Sequence, residues 1–252
     1  MTSIKDRIAS RELVVGTWVK TPHPIIVEVL GLSALDCLVL DAEHAPFDRG
    51  SLDLCLMAAR GAGKPALVRP PSAAPEHILA ALDMGAAGVI APHIRSAAEA
   101  EALVRACHYG PGGRGYAGTT RAAGYGTKGM ARTRADGSSV AVIAQVEDVE
   151  AVEAIDAIAA VAGIDALFIG RADLTLAYQA ESPDDPRVVA AVERICAAGR
   201  ASGRAIGMFL ARPADAPAWR EKGASLFLLA SEHDFMLKGA ADLVATVGAQ
   251  SR

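Results

Sequence analysis

The sequence predicts a (β/α)8 barrel, and three observations predict it. The chain has 252 residues, close to the roughly 250 that such a barrel takes up. Short apolar runs alternate with amphipathic, Ala-rich stretches of helical period, the order that implies a parallel sheet. Eight such runs can be counted, enough for the sheet to close on itself. Composition agrees: 52% of residues are hydrophobic but only 4% aromatic, so the core must be built from Ala, Val, Leu and Ile, the side chains that fill barrel interiors.

The expected strands, in order, are Val14–Val19, Cys37–Leu40, Ala66–Arg69, Gly88–Ala91, Val140–Val146, Ala166–Ile169, Ala205–Phe209 and Leu226–Leu229. Each is short and shows little alternation, as parallel strands buried on both faces do. The expected helices are Ser51–Arg60, Pro75–Met84, Ala97–Cys107, Val149–Ala160, Pro186–Ala201, Pro213–Lys222 and Phe235–Val247. Several open with Pro or an acidic first turn and stop at Gly. The segment from Tyr109 to Ser139 breaks the rhythm, with nine glycines, few apolar runs, and Arg114, Arg121, Lys128, Arg132 and Arg134. It is expected to be a long structureless loop, either at the active site, at a subunit contact, or merely on the surface. No repeat, low-complexity tail or linker interrupts the chain, so one domain is expected over residues 1–252.

A net charge of −4 argues against a nucleic-acid partner. No apolar run reaches the ~18 residues of a membrane span. The opening residues, MTSIKDRIASRELVVG, carry scattered charges and lack the apolar core of a signal peptide. The four cysteines, Cys37, Cys55, Cys107 and Cys196, lie far apart and form no metal-binding spacing. Reduced, mostly buried thiols in a cytoplasmic protein are expected.

Barrel enzymes carry their chemistry at the carboxyl ends of the strands. Here those ends read Asp41-Ala42-Glu43-His44 after the second strand, Arg69-Pro70 after the third, and Pro92-His93 after the fourth, which Asp83 precedes. The fifth strand carries Gln145 and Glu147 and ends in Asp148, and the sixth ends in Gly170-Arg171-Ala172-Asp173. Polar groups thus collect at one rim, which favours an enzyme over an inert scaffold. Glu147 and Asp173 stand at the ends of neighbouring strands, where two carboxylates can converge on a hard cation such as Mg²⁺ or Mn²⁺, or on Co²⁺. Such an ion acts as a Lewis acid on a bidentate 2-oxo acid. Asp41 and Glu43 can hold water around it. Taken singly, each acid is as compatible with capping a helix or pairing with an arginine. His44 is placed to act as a general base, with Asp83 orienting it, although Asp83 also fits plain surface polarity at a helix end. Arg69 can stabilise an enolate oxygen or merely neutralise the acids. The turn from Gly170 to Asp173 can offer backbone N–H groups to a substrate carboxylate. No lysine is expected at a strand end facing the mouth.

The stretches LDAEHAP (40–46), VRP (68–70), LDMGAAGVIAP (82–92), GGRGYAG (112–118), AQVED (144–148) and FIGRADLT (168–175) together resemble the class II pyruvate aldolases, the group containing 4-hydroxy-2-oxoheptanedioate aldolase and 2-dehydro-3-deoxyglucarate aldolase. The resemblance spans most of the chain. It implies a barrel of the phosphoenolpyruvate/pyruvate type and a metal-dependent aldol reaction without a Schiff base, joining or splitting pyruvate (or hydroxypyruvate) and an aldehyde. By position, Glu147 and Asp173 are similar to the family's metal ligands, His44 and Asp83 to its catalytic dyad, and Arg69 to its carbonyl-stabilising arginine. Gln145 resembles a group near the metal and pyruvate. Ala172, Asp173 and Leu174 are expected to offer backbone to the pyruvate carboxylate. Arg121, in TTRAAGYG, resembles an arginine that helps bind the aldehyde across a subunit boundary. The resemblance also implies a homo-oligomer, trimer or hexamer. Arg171 and Ala42 stand where the family often has Pro and Gly, and Arg171 is expected to bear on the choice of aldehyde. Two rivals remain. A CoA-thioester lyase of the citrate-lyase or malyl-CoA-lyase kind shares a similar barrel but usually carries more chain to hold CoA. A non-catalytic barrel that senses a keto acid is the other.

Overall fold

The computed structural model describes residues 2–250; the ends of the expected 1–252 span lie outside them. Eight strands close a barrel in sequence order: β1 (Val14–Val19), β2 (Cys37–Asp41), β3 (Ala66–Arg69), β4 (Gly88–Ala91), β5 (Ala141–Val146), β6 (Ala166–Ile169), β7 (Ala205–Phe209) and β8 (Ala224–Ser231). All neighbours pair in parallel, and β8 returns to β1 with Val14 opposite Leu226. The fold is the expected (β/α)8 barrel. Five of the strands have the expected bounds. β8 is the longest strand, and its ladders with β7 and β1 each contain a register shift.

The helices are α1 (Ile4–Ala9), α2 (Pro24–Gly31), α3 (Arg49–Gly61), α4 (Pro75–Asp83), α5 (Ala97–Cys107), α6 (Met130–Gly137), α7 (Val149–Glu153), α8 (Ile155–Ala160), α9 (Arg171–Ala177), α10 (Pro186–Ser202), α11 (Ala216–Glu221) and α12 (Glu232–Gln250). Local signals explain their ends. Asp48 and Ser51 form a reciprocal capping box on α3. Asp185 caps α10 ahead of Pro186, and Gly203 ends it at φ 74°, a left-handed turn that a glycine enters without steric cost. The expected helix 149–160 breaks at Ala154 into α7 and α8. The stretch 213–222 opens with a 3₁₀ turn over Pro213–Asp215 before α11.

Two apolar clusters hold the barrel. The inner one gathers Val14, Trp18, Val39, Leu67, Ile90, Ile143, Phe168 and Leu228 among others, and α1 plugs its amino-terminal end with Ile4 and Ile8. The outer one packs the other faces of the strands against the helices. Every strand residue from β2 to β6 is buried, which accounts for their unbroken apolar character.

The segment 109–139 is not structureless. It contains a 3₁₀ turn at Gly124–Gly126 and α6. It joins the end of α5 to the start of β5, so it lies on the amino-terminal face of the barrel, opposite the rim of strand ends. Its anchors agree: Lys5 Nζ donates to Ser138 O at 2.9 Å, and the Ala122 N–H donates to Asp83 O at 3.2 Å. The expectation of an active-site loop therefore fails within one chain.

Candidate active site

The rim is built where β2, β3, β4, β5 and β6 end. Asp41, the last residue of β2, is fully buried and takes a two-pronged bond from Arg69 at the end of β3: Nε to Oδ1 at 2.9 Å and Nη2 to Oδ2 at 2.8 Å. Burial pushes the Asp41 carboxyl upward, but the Arg69 guanidinium, the His44 N–H and Lys20 more than offset this and hold it below the usual carboxylate range. The third guanidinium nitrogen of Arg69 lies 3.2 Å from Glu43 Oε2. Its plane sits over the Trp18 ring, 4.1 Å from the centroid, and Trp18 meets Phe168 edge-on at 5.9 Å. Trp18 and Phe168 thus floor the site, and Arg69 is fixed from below, from the side and from the front.

Glu147 follows β5 and is buried. Gln145 donates to its Oε2, and the His93 N–H donates to its Oε1 at 2.9 Å. Asp173 lies in the first turn of α9. Both carboxylates border Gly170: a Cβ there would stand 2.8 Å from Glu147 Oε2 and 3.6 Å from Asp173 Oδ2. A side chain at Gly170 would collide with Glu147, so only glycine leaves this space between the two acids open. Glu43 is pushed up, first by burial and then by the neighbouring Glu147 charge, although Arg69 opposes both. Crowded carboxylates of this kind are what a divalent cation relieves. His44 is exposed at the mouth, with Nε2 3.6 Å from Glu43 Oε2 and its backbone N–H donating to Asp41 Oδ1 at 3.2 Å.

Several expected members are not brought there. Asp83 closes α4, just before β4 begins, and so lies on the amino-terminal face, where Arg114 Nη2 holds it at 2.5 Å. It cannot orient His44 of the same chain, because a residue ahead of a parallel strand sits at the end opposite the rim. Arg121 lies on that same face, bonded to Asp53 Oδ2 at 2.9 Å and to Met84 O at 2.7 Å. Leu174 is a core side chain, and its N–H is spent on Gly170 O at 3.0 Å, so it has no amide to offer a ligand. Ala172 and Asp173 precede it in the first turn, where N–H groups lack partners within the helix. Arg171 turns outward to Pro183 O at 2.9 Å and lies over the Trp219 ring, 5.2 Å from the centroid. Its charge is therefore engaged away from the carboxylates.

Three residues at the rim were given no role by the sequence. Trp18 is the floor under Arg69. Lys20 directly follows β1, with Nζ 3.7 Å from Asp41 Oδ2, which corrects the expectation that no lysine faces the mouth. His93 had been placed at a strand end without a function. Position after a strand was the available signal for Lys20 and His93; nothing marked Trp18.

Comparison with known proteins fits this geometry. Residues 14–239 match the family described as HpcH/HpaI aldolase/citrate lyase. The chain belongs to the HpcH/HpaI aldolase/citrate lyase family. Curated relatives include the 5-keto-4-deoxy-D-glucarate aldolase of Klebsiella pneumoniae, 33% identical over 230 residues and covering 90% of each chain. That of Salmonella arizonae is 33% identical over 244 residues, covering 96% of this chain and 95% of its own. Among solved structures, an HpcH/HpaI aldolase/citrate lyase family protein from Burkholderia cenocepacia superposes with a TM-score of 0.90 at 32% identity, covering 97% of this chain and 98% of that one. This member of the family is a carbon–carbon lyase of the class II, metal-dependent aldolase type. Citrate lyases share its fold at only 17% identity.

Proposed function

We propose that this aldolase catalyses reversible aldol cleavage and condensation of 4-hydroxy-2-oxo acids, giving pyruvate or hydroxypyruvate and an aldehyde. The observation that carries the reading is that Glu147 and Asp173 both border Gly170 at the rim of strand ends. The donor set fits a divalent cation: two carboxylates match its charge, and the buried Gln145 beside them keeps Oε1 without a hydrogen-bond partner. Glu147 and Asp173 would hold the ion, Mg²⁺, Mn²⁺ or Co²⁺, and Glu43 would order water beside it, while the buried Asp41, its oxygens taken by Arg69 and the His44 N–H, would act through Arg69 rather than through water. Such an ion supplies Lewis acidity at the keto oxygen, lowering the pKa of the adjacent C–H bond.

The chain's own groups do the rest. The N–H groups of Ala172 and Asp173 receive the substrate carboxylate, and Gln145 contacts the 2-oxo acid. His44 takes a proton from C3, and Arg69, held rigid by Asp41 and Trp18, donates to the enolate oxygen. C3 then attacks the aldehyde carbon, and the new alkoxide takes the proton back from His44. Cleavage reverses these steps. Asp83 and Arg121 lie on the far face of their own chain and reach such a site only from a second copy. This, with the exposed apolar residues Met236, Leu237, Leu243 and Val244 on α12, supports a homo-oligomer, trimer or hexamer. Four buried free thiols support a cytoplasmic location. No helix among the described residues is long and apolar enough to cross a membrane.

Chelation is the test. Stripping divalent ions should abolish turnover of 5-keto-4-deoxy-D-glucarate or a related 2-oxo acid, and Mg²⁺ or Mn²⁺ should restore it. Because Lys20 stands at the rim, borohydride trapping with pyruvate is equally needed: no loss of activity is expected, and inactivation with a modified Lys20 would replace this mechanism by an imine one. Turnover of malyl-CoA in place of 2-oxo acids would favour the thioester lyase.

A further inference from the structure

We infer that His93 is an additional ligand of the cation, through Nε2, giving this aldolase a mixed nitrogen–oxygen site. The inference rests on the reading of Glu147 and Asp173 as metal-holding carboxylates. β4 ends at Ala91, and His93 turns over the mouth at φ 54°. That left-handed conformation is uncommon for any residue but glycine, although asparagine and histidine enter it more readily than most, and here surrounding contacts hold it. The His93 N–H donates to Glu147 Oε1 at 2.9 Å, and Nδ1 lies 3.0 Å from Asp148 Oδ2, a carboxylate itself held by Arg95 Nε at 3.1 Å. Nδ1 is also 3.4 Å from Glu147 Oε1.

A carboxylate on Nδ1 fixes a proton there and makes Nε2 the nitrogen available to an ion, the arrangement that orients metal-binding histidines. Nε2 faces Glu43 Oε1 at 3.8 Å. One ligand atom from each of Glu43, His93 and Glu147 lies within 4.8 Å of the others, a spacing that an ion can bridge. The orphaned Oε1 of buried Gln145, whose amide nitrogen touches Glu147, independently marks a missing partner at this place. Imidazole suits Co²⁺, Ni²⁺ and Zn²⁺ better than Mg²⁺, whose preferred ligands are oxygens. The consequence is a site that discriminates between these ions through one side chain.

The test is calorimetric titration of metal-free protein with CoCl₂ and, separately, MgCl₂, for wild type, His93→Asn and Glu147→Gln. Asparagine accepts the left-handed backbone, and its amide can still donate to Asp148, so a merely structural histidine is replaced without loss. His93→Asn should weaken Co²⁺ binding by roughly 10–100-fold while leaving Mg²⁺ binding unchanged. Equal losses for both ions, or none, would overturn the assignment. The Co²⁺ protein should also show a hyperfine-shifted, exchangeable imidazole N–H resonance that His93→Asn removes; its absence from wild type would count equally against ligation. Glu147→Gln should lose both ions. If it binds both as tightly as wild type, the carboxylate reading fails, and that failure is distinct from an unselective His93→Asn.

Discussion

Arg69 shows how one side chain can serve structure and chemistry together. Its fork satisfies fully buried Asp41, its face covers Trp18, and its remaining nitrogen reaches Glu43. Truncation to Ala therefore does two things. It removes the proposed enolate donor, and it strands a buried carboxylate, which costs about 3–5 kcal/mol. A dead Arg69→Ala enzyme would be ambiguous. Arg69→Lys separates the effects, since it keeps the charge and loses the two-pronged geometry. It should lose some stability yet stay folded, with a cooperative melt above assay temperature, and lose ~10²–10³ in kcat on a 2-oxo acid. Wild-type kcat in a folded Arg69→Lys enzyme would remove Arg69 from the chemistry. The rim acids, Arg69 and Gln145 were legible in the sequence because parallel strands deliver whatever follows them to one end. Asp83 precedes its strand, so the same rule puts it at the other end of its own barrel, and its pairing with His44 needs a second copy. The partners of Trp18 and His93 depend on ring orientation and on a left-handed turn, and neither leaves a residue pattern to read.

At the scale of elements, the strands were legible and the 109–139 connection was not. Its glycines and arginines gave no period, because α6 buries little and is held by polar contacts instead, such as Lys128 Nζ on Asp136 Oδ2 at 2.7 Å. α2 escaped for the opposite reason, since Pro24–Gly31 is apolar nearly all round and shows no face. The join between α5 and α6 carries a pH dependence. His108 follows α5, with Nδ1 3.3 Å from Gly137 O at the end of α6. Burial first, then the Lys5 charge, hold its imidazole below the usual value, against smaller opposing effects of Gly137 and Asp165. Below about pH 6.5 the unfolded chain therefore binds a proton that the native state resists. The neutral ring contributes fully above that pH, and stability falls as pH drops through it toward the lower folded value. Melting temperatures between about pH 7.5 and about pH 5.5 should fall more steeply in wild type than in His108→Gln. Parallel curves would show that His108 is not responsible.

The closed barrel separates two faces by the length of its strands, and this constrains how the whole molecule can work. His44, Glu43 and Glu147 occupy one face, while Asp83, Arg114 and Arg121 occupy the other. A single chain therefore cannot assemble the set that its family resemblance implies, whereas an assembly that seats the far face of one copy over the rim of the next can. α12 offers apolar surface for such an assembly: Leu237, Leu243 and Val244 are 74%, 70% and 73% exposed on the isolated chain. Lysine at both Leu237 and Val244 should yield a smaller species in sedimentation, and activity should fall with it. Complementation then separates a catalytic from a merely structural assembly. His44→Asn and Asp83→Asn should each be inactive alone, because every site lacks one group. Co-expressed, they should regain activity, because a hexamer or trimer of mixed chains contains sites with His44 from one copy and Asp83 from its neighbour. If the mixed assembly stays inactive while its size matches wild type, Asp83 has no part in another copy's site, and its bond to Arg114 is its whole role.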